Sequence, residues 1–283
     1  MPISAIGAVE KMTAKLDSNN IVQYKLPLAA IDENGEQQSI ALNPLIGRKL
    51  TLVFHSTIAC KNCGTTTKKS YSQGFCYPCM TKLAQCDMCI MKPETCHYHL
   101  GTCREPEWAE QHCMVDHYVY LSNTSGLKVG ITRHTQIPTR WIDQGATQAL
   151  PLFKVRTRLQ SGLIETALSE LVSDKTNWRA MLKGSNEPID LKAQAKVLIP
   201  QIADRLSEIK LKYGEDAVQL LNEEVVDIVF PVSQYLTKIS SFNFDKTSTV
   251  SGILLGIKGQ YLIFEEGVIN MRKFSSYQIS AEY

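Results

Sequence analysis

Apolar residues recur along this chain with two periods. Residues 21–28 (IVQYKLPL) partly alternate apolar with polar, and residues 50–54 (LTLVF) form a short continuous apolar run. Both patterns predict strands, with a hairpin-type turn at Glu33-Asn34-Gly35 between them. Two further apolar segments, YVYL (118–121) and LKVGI (127–131), flank SNTSG, which reads as a turn. A helical stretch is expected from about residue 162 to 172. Another is expected within 190–222, where Ile202, Leu206, Ile209 and Tyr213 recur at spacings of four, three and four. Pro200 should kink or split it. Strand character returns in VVDIVF, GILLGI, QYLIF and GVINM, with Gly252, Gly256, Gly259 and Gly267 as punctuation.

The fold class expected is α+β, in four segments: a β segment at 1–59, a cysteine-rich module at 60–117, a small mixed domain at 118–183, and a helical linker with a β segment at 184–283. The pattern leaves open whether the first 59 and last 60 residues form one sheet or two.

A hydrophobic fraction of 44% over 283 residues can fill the cores of two or three domains. No run of 18 apolar residues exists, so no membrane span is expected. MPISAIGAVEKM lacks the charged start and apolar stretch of a signal peptide, which predicts a cytoplasmic protein. All nine cysteines lie between Cys60 and Cys113. In a reducing compartment, an odd number of clustered thiols points to metal rather than disulfides.

The spacing names the metal. Cys60, Cys63, Cys76 and Cys79 form C-x2-C-x12-C-x2-C, a zinc-ribbon signal, with Gly64 where the knuckle needs a tight backbone. Cys86, Cys89, Cys96 and His99 form a second set, and Cys103, Cys113, His97, His112 and His117 are spare ligands. Two zinc ions are expected, bound either by consecutive sets or by interleaved pairs. Four protein ligands leave no open position, so the expected role is structural. The formal charge of +2 counts thiols as neutral. Two such sites would move it to about −1, so net charge says little about partners.

Local charge says more. Between 118 and 160 the chain carries Lys128, Arg133, Arg140, Lys154, Arg156 and Arg158 against Asp143 alone. Such an excess attracts phosphates. Trp108, Trp141 and Trp178 flank it, as stacking platforms for unpaired bases or, more in keeping with tryptophan's habit of burial, as packing residues.

Tyr118-Val119-Tyr120, a short turn, and Lys128-Val129-Gly130-Ile131-Thr132 resemble the opening hairpin of the GIY-YIG nuclease superfamily. Arg140, Glu165 and Asn177 follow in that family's order and spacing, and the likeness covers residues 118–178. It implies Tyr120 as the base, Arg140 as the phosphate clamp and Glu165 as ligand of Mg2+ or Mn2+, with Asn177 matching the later asparagine. Lys128 replaces the second motif's tyrosine, as in a branch carrying KIG. Phosphodiester hydrolysis needs such a metal and such a base. The competing reading has Tyr120 packed in a strand, Arg140 paired with Asp143 and Glu165 solvated.

Over nearly the whole chain, GTCREPEWAEQHC, GLKVGITRHTQIPTRWIDQGA, DKTNWRAMLKG and GIKGQYLIFEEGVIN resemble a bacterial family known as domain of unknown function 2797. That likeness implies a zinc-bearing bacterial protein and no particular activity. The leading expectation is a zinc-containing protein that binds DNA or RNA, with metal-dependent cleavage as its stronger form. A non-catalytic binding module and a zinc-knuckle adaptor for a protein partner are the alternatives.

Overall fold

The structure is a computed structural model and describes residues 4–31, 37–173, 175–184 and 187–283. The turn expected at Glu33-Asn34-Gly35 lies outside the described residues. In chain order the elements are β1 (Ser4–Val9), β2 (Thr13–Leu16), β3 (Val22–Ile31), β4 (Gln37–Ala41), β5 (Lys49–Ile58), α1 (Tyr77–Lys82), α2 (Pro106–His112), β6 (His117–Asn123), β7 (Leu127–Arg133), α3 (Thr139–Asp143), β8 (Gln148–Val155) and α4 (Arg158–Ser169). There follow α5 (Trp178–Met181), α6 (Leu191–Gln201), α7 (Ala203–Tyr213), β9 (Val218–Leu220), β10 (Val226–Asp227), β11 (Thr249–Lys258), β12 (Tyr261–Phe264), β13 (Gly267–Asn270) and β14 (Tyr277–Glu282).

The chain divides into two compact units, and the division differs from the four expected segments. One unit comprises residues 1–81, 182–184 and 229–283; the other comprises 82–181 and 185–228. The second is thus inserted into the sequence of the first. The cysteine-rich stretch is split between them, because the ribbon cysteines continue the sheet through β5 while the later cysteines pack with α4.

In the first unit the early and late strands form one sheet, in the order β13-β12-β11-β5-β14-β1-β3-β2, with β4 paired to β3. β5 is internal: Val53 pairs with Thr249 on one side and Ser280 on the other. Leu50 and Leu52 are fully buried, as are Ile279 and Ala281 of β14. Period-two side chains therefore supply the core, and every β5 neighbour comes from beyond residue 248. The β5–β14 register shifts between Tyr277 and Ile279, near Ser56 at φ 57°. Such a bulge bends a strand, here just before Cys60.

The second unit holds a sheet in the order β10-β8-β6-β7, with β9 on β8. Val119, Leu121, Val129 and Ile131 build its core with Ile164 and Leu168 of α4, Leu191 and Leu198 of α6 and Ile209 of α7. α4 starts at Arg158, earlier than its apolar stripe, because Thr157 caps it reciprocally with Gln160. The expected split near Pro200 falls at Ile202, between α6 and α7. VVDIVF makes only the two-residue strand β10, since the chain passes from one unit to the other between residues 228 and 229.

Gly162 shows how closely α4 packs on the loop that carries the later cysteines. A Cβ there would lie 2.5 Å from the Glu94 backbone nitrogen and 2.7 Å from Pro93 Cβ. Gly162→Ala must push that backbone away and is expected to destabilise the second unit by about 1–3 kcal/mol. Urea unfolding should show a lower midpoint; an unchanged midpoint would mean that the loop yields freely.

Candidate metal centre

Cys60 follows β5, and Gly64, at φ +72°, turns the chain so that its N–H donates to the Cys60 carbonyl at 2.8 Å. Cys76 precedes α1 and accepts from Met80 N at 2.9 Å through its carbonyl, and α1 carries Cys79. The sulfurs of Cys60, Cys63, Cys76 and Cys79 all lie within 4.8 Å of one another. Cys63 and Cys76 Sγ are 3.7 Å apart. A tetrahedron with Zn–S bonds of about 2.3 Å has edges of about 3.8 Å. The set is consecutive rather than interleaved.

Electrostatics argue for a cation. Burial pushes the Cys60 thiol up, but backbone N–H groups at Cys76, Cys63 and Asn62 outweigh it and hold it down to about 6. At Cys79 the Asn62 side chain, which donates to its sulfur at 3.4 Å, favours the thiolate; crowding by Cys76, Cys63 and Cys60, together with burial, overrides it and pushes the thiol up to about 12. Four thiols this close cannot all ionise without a positive charge among them. The donor set and spacing fit a zinc ion.

The second expected set is not assembled. Among the described residues, Cys86 and His99 do not line the cavity that Cys89 and Cys96 share, and His99 is exposed. Asp87, Cys89 and His97 do come within 4.8 Å. His117 is fully buried, with Nδ1 2.7 Å from the Val115 carbonyl, and desolvation pushes its imidazole down to about 4. His112 stacks on Trp108 at 4.2 Å.

Residues 118–178 hold the other expected site. Tyr120 is fully buried in β6; its hydroxyl donates to Gln144 Oε1 at 2.8 Å, and its ring meets Trp141 edge-on at 5.9 Å. Gly130 lies opposite on β7, where a Cβ would sit 2.7 Å from that hydroxyl. Desolvation pushes the hydroxyl up to about 12 against the opposing charge of Arg140; Glu165 is the next charged neighbour. The charges of Arg140 and Glu165 are thus within electrostatic reach of Tyr120. Lys128 is buried and donates to Thr176 Oγ1 at 3.4 Å. Asn177 Oδ1 accepts from Ala180 N at 3.2 Å, a helix-capping contact.

The basic stretch is largely engaged internally. Lys154 pairs with Asp116 at 2.8 Å, Arg156 pairs with Asp216, and Arg158 Nη2 donates to the Ile90 carbonyl at 2.7 Å. A second cationic stretch lies elsewhere, in the cysteine ribbon, where Lys61 Nζ donates to the Gln73 carbonyl at 3.2 Å. From residue 37 to 86 there is no Asp or Glu, while Arg48, Lys49, Lys61, Lys68, Lys69 and Lys82 are present. Lys61, Lys68 and Lys69 are exposed on the ribbon. Tyr77 is 58% exposed and meets Tyr71 edge-on at 5.6 Å, with Lys69 Nζ 5.2 Å from the Tyr71 ring.

These features define an α+β chain with a strand-rich unit bearing a four-cysteine cluster of zinc-binding geometry. The family model described as "Protein of unknown function (DUF2797)" matches residues 47–279, and the chain belongs to that family. No curated protein and no solved structure matches it. Among the described residues no helix is long and apolar enough to cross a membrane.

Proposed function

We propose that this is a zinc-containing protein that binds single-stranded nucleic acid through its ribbon. The observation carrying the reading is exposed Tyr77 on half-buried Tyr71, with Lys69 against the Tyr71 ring and Lys61 and Lys68 on the same acid-free four-cysteine loop. Lysines meet phosphates while an aromatic face stacks on an unpaired base, each stack contributing about 1–3 kcal/mol. Zinc with four thiolates carries a charge of −2, so the lysines also offset the site that orders them.

The test is fluorescence anisotropy with labelled single-stranded DNA, duplex DNA and RNA. Lys61→Ala/Lys68→Ala/Lys69→Ala should weaken single-strand binding and lower the salt slope by about 2, at ~0.7 per phosphate contact. Tyr77→Ala should weaken binding at an unchanged slope. Salt-independent or absent binding would sink the proposal and favour a protein partner for the knuckle.

A GIY-YIG-like reading of residues 118–178 draws support from the antiparallel β6–β7 hairpin and from the charges of Arg140 and Glu165 within electrostatic reach of Tyr120. Cleavage would require Mg2+ or Mn2+ at Glu165. A buried Tyr120 already donating to Gln144 is poorly placed to take a proton from water. The binding module is therefore the better-supported form. Incubating wild type and Glu165→Gln with the same nucleic acids and Mg2+ or Mn2+ decides it: cleavage by the wild type alone would restore the nuclease.

A further inference from the structure

We infer that Cys89, Cys96, Cys103 and Cys113 together bind a second zinc ion, with a ligand set that the paired spacing does not indicate. The four residues line one small cavity of about 10 Å³ beneath α2. That is about the space of one water-sized sphere. Cys89 is within electrostatic reach of Cys96 and Cys113, and Cys113 of Cys96 and Cys103. Cys86 and His99, the other half of the expected set, do not line this cavity.

Asp87 and His97 line the same cavity, within 4.8 Å of the Cys89 sulfur, but both are engaged. Asp87 Oδ1 accepts from Cys89 N at 3.1 Å, and Oδ2 pairs with Arg104 Nε at 2.7 Å. His97 Nδ1 lies 2.7 Å from Thr102 Oγ1, and its Nε2 lies 3.6 Å from Asp87 Oδ1. These groups surround a sulfur site and orient its ligands, as outer-shell partners commonly do.

A second observation points the same way. Arg158 Nε is buried with no hydrogen-bond partner among the described residues. Its side chain is within electrostatic reach of Cys113 and Cys89, and its backbone N–H donates to the Cys113 carbonyl at 2.8 Å. On metal binding the four thiols release four protons and four Zn–S bonds form, leaving a centre of charge −2. A cation at its edge offsets that charge, and a thiolate gives the orphaned Nε–H an acceptor.

The inference is tested by zinc content per chain, measured by mass spectrometry on the full-length protein after zinc loading and desalting. The wild type should hold two ions. Cys103→Ser/Cys113→Ser should lower the count by one, whereas Cys86→Ser/His99→Gln and Asp87→Asn/His97→Gln should leave it unchanged. No loss on Cys103→Ser/Cys113→Ser, or loss of an ion in either of the other two variants, overturns the assignment. Should the double serine variant fail to fold, the cobalt-loaded wild type is compared with Cys103→His. The variant retains the ion but should lose about one-eighth of the thiolate-to-cobalt charge-transfer intensity, one thiolate of eight. An unchanged band would equally overturn it.

Discussion

Removing zinc from the ribbon, by chelation or by Cys60→Ser/Cys76→Ser, is expected to disorder residues 59–81 and to loosen the adjoining end of the β5–β14 pairing. The local chain buries few apolar residues of its own. Residues 61–69 are almost entirely exposed, and the buried anchors of the ribbon are Cys60, Phe75 and Cys76. Structural zinc in small modules contributes apparent binding energies of about 10–16 kcal/mol, which here becomes folding free energy of the ribbon. Hydrogen exchange should report lost protection at Lys61 N and Phe75 N, which donate to Gly74 and Tyr71 carbonyls. Unchanged exchange after verified metal loss would refute the structural role.

Acid should act in the same direction. The Cys60 thiol is held down to about 6 in the fold, below its value in an unfolded chain of about 8.5. A depressed acid contributes stability that is complete above the unfolded value and is lost as pH falls through the folded one. Zinc bound to thiolates follows the same sign. Release of zinc as pH falls is the expected titration, because protons compete with the metal for all four thiols.

The second large effect is at Tyr120. Truncation to alanine empties a fully buried aromatic site between Trp141 and Gly130 and should cost about 3–5 kcal/mol. Tyr120→Phe keeps the ring and removes only the donor to Gln144, a cost of about 1 kcal/mol. If Tyr120 serves packing, the phenylalanine variant should bind nucleic acid with wild-type affinity while melting slightly lower. A cleavage activity abolished by that same change would assign the hydroxyl to chemistry instead.

Much of the architecture could be read from side-chain period. LTLVF, YVYL, LKVGI and GILLGI all lie in strands, and the Ile202–Tyr213 spacing marks a helical face. The four-cysteine cluster was legible because C-x2-C is a local geometric device. The cavity shared by Cys89, Cys96, Cys103 and Cys113 was not, because Cys96, Cys103 and Cys113 reach it through folds of the loop rather than through a paired turn. The same limit explains the misplaced charge. Counting cations in 118–160 could not foresee that Asp116 and Asp216, both outside that window, would engage Lys154 and Arg156. Strand partnership was equally hidden, since nothing local in SAIGAV announces β14 as its neighbour.

That partnership governs how the chain can be made. β5 is complete at residue 58, yet β11 and β14, which flank it, emerge from the ribosome only after about two hundred further residues. Until then a ten-residue strand with Leu50, Leu52 and Phe54 stands with both hydrogen-bonding edges open. Such edges invite pairing with other chains. The inserted unit, whose strands pair with one another among the described residues, has all its parts by residue 228 and can close first. Lys49 at the start of β5 and His55-Ser56-Thr57 near its end are the polar residues guarding that strand during the wait. A chain truncated near residue 240 and released from the ribosome should therefore show a protease-resistant inserted unit joined to a first-unit sheet that is still unmade.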